Sequence, residues 1–146
     1  MKWFEIRDIR RSQNYVSAMP WAAICVSPND RWPYLQSENR VALLQLSVDS
    51  VQNAKDIARS FLFGGMFSHN HAKQVLSFVD RYWRDVDSFL IQCNDGRTCS
   101  PAIAAAIMYI MYGNKADDWY FDNCNPNMLI YQTLIKEVTY GGFLIQ

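Results

Sequence analysis

The stretch FLIQCNDGRTCSPAIA, residues 89–104, decides how the rest of the chain is read. An apolar run ends on Cys93, a short polar loop with one glycine follows, and a helix opens at Ser100-Pro101. SFLIQ (88–92) is apolar enough to be a strand buried on both faces. Serine as N-cap with proline at the first helical position is a helix-start signature. Ala102, Ile103, Ala106, Ile107 and Ile110 then give the helix an apolar stripe, which Gly113-Asn114 ends. A strand–loop–helix of this kind suits an anion, because loop N–H groups and the helix N-terminus form an electropositive cradle without a charged side chain. A cysteine at the mouth of such a cradle is favoured as the thiolate, and a thiolate facing an anion site is a nucleophile candidate. The alternative is a structural cysteine that ends a core strand; spacing alone leaves both open.

Working outward, AAICVS (22–27) is a short apolar run closed by Pro28-Asn29-Asp30, and VALLQLSV (41–48) is a longer one ending at Asp49-Ser50. Residues 50–67 are less regular and contain Gly64-Gly65, so they read as loop with at most a helical turn. Ser68 caps a helix whose Ala72, Val75, Leu76, Val79 and Tyr82 fall at helical spacing, broken by Asp85-Val86-Asp87. Asn125-Pro126 repeats the cap-plus-proline signature for a last helix through about Val138, stopped by Gly141-Gly142. Strands alternating with helices predict an α/β fold: a central, mostly parallel sheet flanked by helices on both faces. There is no internal repeat and no low-complexity linker, so residues 1–146 are expected to form a single domain.

Fourteen basic residues balance fourteen acidic ones in 146, so no overall field favours nucleic acid as a partner. Lys2, Arg7, Arg10 and Arg11 crowd the N-terminus and read as a solvated helix face. No run approaches the roughly 18 apolar residues of a membrane span, and MKWFEIRDIRR does not resemble a secretory signal. Cys25, Cys93, Cys99 and Cys124 are irregularly spaced, which argues against a secreted disulfide framework and for a reducing cytoplasm.

QCNDGRTCSPAIAAA (92–106) resembles the signature of the cysteine-dependent protein tyrosine phosphatase superfamily, in particular the small bacterial and phage proteins similar to dual-specificity phosphatases. That signature runs histidine, cysteine, two residues, glycine, two residues, arginine and serine, followed by an alanine-rich helix. NPNMLIYQTLIKEV (125–138) is similar to the group's last helix, and AAICVSP and LLQLSVDS fall where it has its first two strands. The resemblance implies a dual-specificity-phosphatase fold with Cys93 as nucleophile and Ser100 as the hydroxyl that steadies the leaving thiolate. It makes Asn94, Asp95, Gly96, Arg97, Thr98 and Cys99 the phosphate-binding loop, and Asp49 the general acid, with Asp56 as second choice. Two positions depart from the pattern: Gln92 replaces the histidine, and Cys99 replaces the arginine. That arginine is a bidentate fork for phosphoryl oxygens. Removing one preorganised donor at such a site costs about a hundred- to a thousandfold in rate.

The expected function is therefore a pseudophosphatase-type module that binds a phosphorylated protein side chain or a phosphorylated small molecule, such as a nucleotide, in the 93–99 loop. The alternative is an active or weakly active cysteine phosphatase, with Arg97 curling back over the ligand; a plain interaction scaffold is the third reading. No cofactor, metal, nucleic acid or membrane is expected. His69 and His71 flank the start of a helix, and the Cys93–Cys99 spacing is poor for zinc. A disulfide between those two cysteines is a further use of the thiols, provided their Cα atoms lie within about 7 Å. Asp95 is expected to accept from loop N–H groups, and Trp119, Tyr120 and Phe121 to anchor the last helix.

Overall fold

Strand β4 (Ser88–Gln92) is the centre of the molecule, and all five of its residues are buried. In the computed structural model, which describes residues 2–28, 30–48, 67–94 and 96–139, it lies between β1 (Trp3–Arg7) and β2 (Trp21–Ser27). Strand β3 (Arg40–Ser47) completes a four-stranded sheet of order β1-β4-β2-β3 in which each neighbouring pair is parallel. The helices are α1 (Ile9–Ser12), α2 (His69–Tyr82), α3 (Cys99–Tyr112), α4 (Asp118–Asn123) and α5 (Met128–Thr139). This is the α/β architecture expected from the sequence. No helix among the described residues is long and apolar enough to cross a membrane.

The basic N-terminus is a strand rather than a helix face, with only the four residues of α1 helical. Side-chain alternation explains it. Phe4 turns inward, 2% exposed, and stacks on Phe89 at 5.2 Å. Glu5 and Arg7 stay on the other side and pair at 3.2 Å. The Lys2 ammonium lies 5.2 Å from the Trp83 ring centre and donates to the Val86 carbonyl, tying the chain start to the turn before β4.

The two sheet faces are covered differently. Ala22, Ile24, Val26, Phe89 and Ile91 meet α2, α3 and α5 in one continuous core. Helix α3 is apolar on every side and buried from Cys99 to Met108, as befits a helix between sheet and outer helix. On the opposite face Trp21, Ala23, Cys25 and Leu90 are covered by Tyr15, Trp32 and Leu35 from irregular segments, where helices on both faces were expected. Trp21 holds that layer: Tyr15 packs edge-on at 4.8 Å, and the indole N–H donates to the Glu38 carbonyl. The Arg40 guanidinium donates to the carbonyls of Leu35 and Gln36, so the connection from β2 to β3 needs no helix to satisfy its backbone.

Helix α2 starts as expected at Ser68, in a reciprocal cap: Ser68 Oγ accepts the His71 N–H while His71 Nδ1 accepts the Ser68 N–H. Gly113, at φ +87°, ends α3, again as expected. Gly64-Gly65 and Gly141-Gly142 lie outside the described residues.

Gln92 is the anomaly in β4. It is fully buried, and among the described residues neither polar atom of its side-chain amide has a hydrogen-bond partner. An unsatisfied buried polar group costs about 1–3 kcal/mol, whereas an apolar group of similar shape carries no such penalty. Gln92→Met should therefore raise stability by about 1–3 kcal/mol in urea unfolding. A lower midpoint would show that the amide finds partners in solution.

Candidate functional site

Cys93 follows β4 directly, at the carboxyl ends of the parallel strands, where ligands bind in open α/β sheets. Its sulfur accepts the Ser100 N–H at 3.3 Å and lies 3.2 Å from Ser100 Oγ. Ser100 is not the N-cap that the sequence suggested. Helix α3 begins at Cys99 with Thr98 in the cap position, so Ser100 is inside the first turn and its hydroxyl serves Cys93 instead. Pro101 is tolerated there because first-turn N–H groups have no intrahelical acceptor.

The loop is clamped from two sides. The Cys93 N–H donates to the Arg7 carbonyl and the Ile9 N–H to the Asn94 carbonyl, joining the loop to the end of β1. On the other side Asn125 N–H donates to the Arg97 carbonyl at 3.1 Å and Asn127 N–H to the Thr98 carbonyl at 2.9 Å. A trans peptide aims its C=O and N–H in opposite directions. The Thr98 and Cys99 N–H groups thus point away from the 125–127 clamp. Helix α5 starts at Met128 rather than at Pro126, capped by Asn127 Oδ1, which accepts the Ile130 N–H. Proline holds the residue before it extended, which keeps 125–127 available to pair with the loop. The Asn125-Pro126 signal marked the helix start but not this clamping role.

Gly96 is required twice over. Its φ is +67°, and a Cβ there would lie 2.8 Å from the Asp8 nitrogen and 3.0 Å from the Arg7 carbonyl carbon. The loop folds only because it passes this close to the backbone after β1.

Cys93, Asn94, Thr98 and Cys99 line one side of a cavity of about 210 Å3, with Val26, Pro28 and Val48 as its apolar wall. None of these lining residues is charged. Cys99 is 5% exposed and Thr98 Oγ1 lies 3.9 Å from its sulfur, so a buried cysteine side chain stands where the resemblance places a guanidinium. Arg97 is exposed and does not line the cavity; its charge acts on Cys124, whose thiol burial pushes up and Arg97 pulls back down. Asp49, Asp56 and Asp95 lie outside the described residues. Val26, Pro28 and Val48 were not singled out from sequence, since nothing separates such residues from ordinary core.

Other candidates disperse. His71 is taken up by the α2 cap, and His69 Nδ1 pairs with the buried Glu137 at 2.9 Å. No group of three or more His, Cys, Asp or Glu among the described residues is placed to hold a metal. Tyr120 is buried and donates to the Phe4 carbonyl, anchoring α4 to β1; Phe121, though partly exposed, packs edge-on against Tyr131 of α5 at 5.2 Å, and Trp119 is exposed.

With the site in view, comparison with known proteins is informative for fold. The chain is similar to human DUSP28 (TM-score 0.57, 15% identity, covering 96% of this chain and 95% of that one). It is also similar to human tyrosine phosphatase-like serine/threonine/tyrosine-interacting protein (TM-score 0.56, 16% identity, 85% and 80%). A mouse dual specificity phosphatase candidate complexed with zinc tungstate gives a TM-score of 0.52 at 20% identity, covering 92% and 76%. No protein-family model and no curated protein matches the sequence. The chain therefore has the fold of the dual-specificity phosphatases.

The thiols should be distinguishable chemically. Burial pushes the Cys25 thiol up to about 12 and also raises that of Cys124, whereas the Cys93 sulfur accepts the Ser100 N–H and lies beside the Ser100 hydroxyl at a cavity. Iodoacetamide at neutral pH should label Cys93 well before Cys25 or Cys124, as read by peptide mass spectrometry. Equal, slow labelling would make Cys93 a mere core residue.

Proposed function

We propose that this chain binds a phosphorylated ligand, a phosphoprotein side chain or a small phosphate monoester, in the loop from Cys93 to Cys99, and that it is a pseudophosphatase. The observation that carries this reading is the pinned Cys93–Ser100 pair on a cavity whose first helical residue is Cys99 instead of a cation. Backbone N–H groups and the N-terminus of α3 favour an anion without any side-chain charge. Anion affinity therefore outlasts loss of the arginine, whereas stabilisation of a phosphoryl-transfer transition state does not. A mouse protein of this fold complexed with zinc tungstate is compatible with an oxyanion ligand, and the human interacting protein supports binding as a role for the fold. Cys93 and Ser100 are the inherited nucleophile and its hydroxyl partner, with Asp49 in the general-acid role. Four cysteines, none in a disulfide, suit a reducing cytoplasm.

The test is protection. Phosphotyrosine or phenyl phosphate should slow iodoacetamide labelling of Cys93 in a saturable way, and phenol should not. Gly96→Ala should remove the protection, because the added Cβ meets backbone after β1. An unprotected Cys93 would leave the fold without its ligand. Hydrolysis of phenyl phosphate that is lost in Arg97→Ala would transfer the case to an active phosphatase.

A further inference from the structure

The cavity lining is uncharged, but arginines stand on the segments that flank it. Arg10 follows Ile9, whose N–H donates to the carbonyl of the cavity-lining Asn94 at 3.4 Å. Arg31 comes shortly after Pro28 of the apolar wall, and its N–H donates to Ser27 Oγ at 3.0 Å, which folds the chain back at the end of β2. Both residues are exposed. Arg7 pairs with Glu5 and Arg11 with Asp8, whereas neither Arg10 nor Arg31 forms an ion pair among the described residues. Positive charge is thus left over at the carboxyl end of the sheet.

The placement of these two charges restricts what they can meet. Strands β1 and β2 lie on either side of β4, so Arg10 and Arg31 approach the Cys93 loop from opposite sides. Neighbouring strands are about 4.8 Å apart, which sets the ends of β1 and β2 about 10 Å from each other. An extended peptide advances about 3.3 Å per residue, so charges about three residues apart along it match that span. A small molecule that carries its second phosphate beside the first would need its cation in the cavity lining, which has none.

We propose that the ligand is an extended, acidic, phosphorylated segment of a protein: its phosphorylated side chain enters the cavity, and Asp or Glu residues on either side of it meet Arg10 and Arg31. This rests on the phosphate-binding reading above and adds the class of ligand. The attraction is local, because the chain as a whole balances fourteen basic with fourteen acidic residues. Exposed ion pairs are individually weak and screened by salt. The two arginines therefore sort among phosphorylated segments and do not by themselves capture acidic ones.

The experiment measures fluorescence anisotropy of labelled peptides of equal length on the full chain, with phosphotyrosine flanked by glutamates or by alanines. The glutamate-flanked peptide should bind about fivefold tighter at low salt, and the preference should fade as salt rises. Arg10→Ala combined with Arg31→Ala should bring the two peptides to about equal affinity. Arg10→Glu with Arg31→Glu should reverse their order. Both positions are exposed, and a thermal melt checks that each variant is folded. Equal affinity for the two peptides in the unaltered chain, or a preference that survives both double variants, would overturn the proposal. So would tripolyphosphate displacing the glutamate-flanked peptide more strongly than its own unlabelled form, which would assign the arginines to a small polyphosphate. The phosphate reading fails separately. If the unphosphorylated glutamate-flanked peptide binds as tightly as the phosphorylated one, the arginines keep their acidic partner and the phosphate site is lost. If the alanine-flanked phosphopeptide binds as tightly as the glutamate-flanked one, and its unphosphorylated form does not bind, the phosphate site stands and the acidic preference is lost.

Discussion

Everything at the site depends on the Cys93 sulfur being held by the first turn of α3. The sulfur takes an N–H and lies against a hydroxyl of a single residue, Ser100, while its own backbone continues the central strand. That fixes where β4 ends relative to where α3 begins, and the loop between them has little choice of path. It is pressed onto the end of β1 at Gly96 and held from outside by Asn125 and Asn127. The clamps take up the Asn94, Arg97 and Thr98 carbonyls, which turns the Thr98 and Cys99 N–H groups away from the 125–127 segment. A burial pattern thus becomes an electrostatic one: strand, loop and helix create a positive site from neutral atoms.

What the site can do then turns on Cys99. An anion at rest is served by N–H dipoles, but charge developing on phosphoryl oxygens needs a fork that follows it. A buried thiol supplies neither charge nor a second strong donor. Arg97, the basic residue of the loop, is exposed and is not among the residues lining the cavity, and its charge is felt at Cys124. In the proposed reading, Cys93 and Ser100 without a cation at position 99 would hold a phosphate without cleaving it efficiently.

The legible parts of the fold were those written in local chemistry. The run at 88–92 announced a strand buried on both faces, and Ser68 announced a capped helix. The loop glycine was expected, and the structure adds why no other residue fits. The strand Trp3–Arg7 was missed because four basic residues suggested a solvated helix. Its identity rests on Phe4 stacking with Phe89, a contact across 85 positions that no local pattern carries. Ser100 reads as a cap for a related reason: a serine before a proline serves the helix in most contexts, and only the placement of Cys93 reassigns its hydroxyl. The clamp at 125–127 and the Val26, Pro28 and Val48 wall arise from tertiary packing and leave no sequence trace. Asp49, the expected proton donor, falls outside the described residues.

The central claim we propose is that this is a cysteine-phosphatase-like site that lacks the transition-state cation. Turnover of p-nitrophenyl phosphate by Cys99→Arg, compared with the unaltered chain, tests it most directly. The account predicts little hydrolysis by the unaltered chain and a gain of at least about a hundredfold in the variant, abolished when Cys93→Ser is added. A thermal melt on the same sample separates chemistry from strain, since a guanidinium enters a space packed around a thiol. Robust hydrolysis by the unaltered chain, or a well-folded Cys99→Arg protein without activity, would contradict the account.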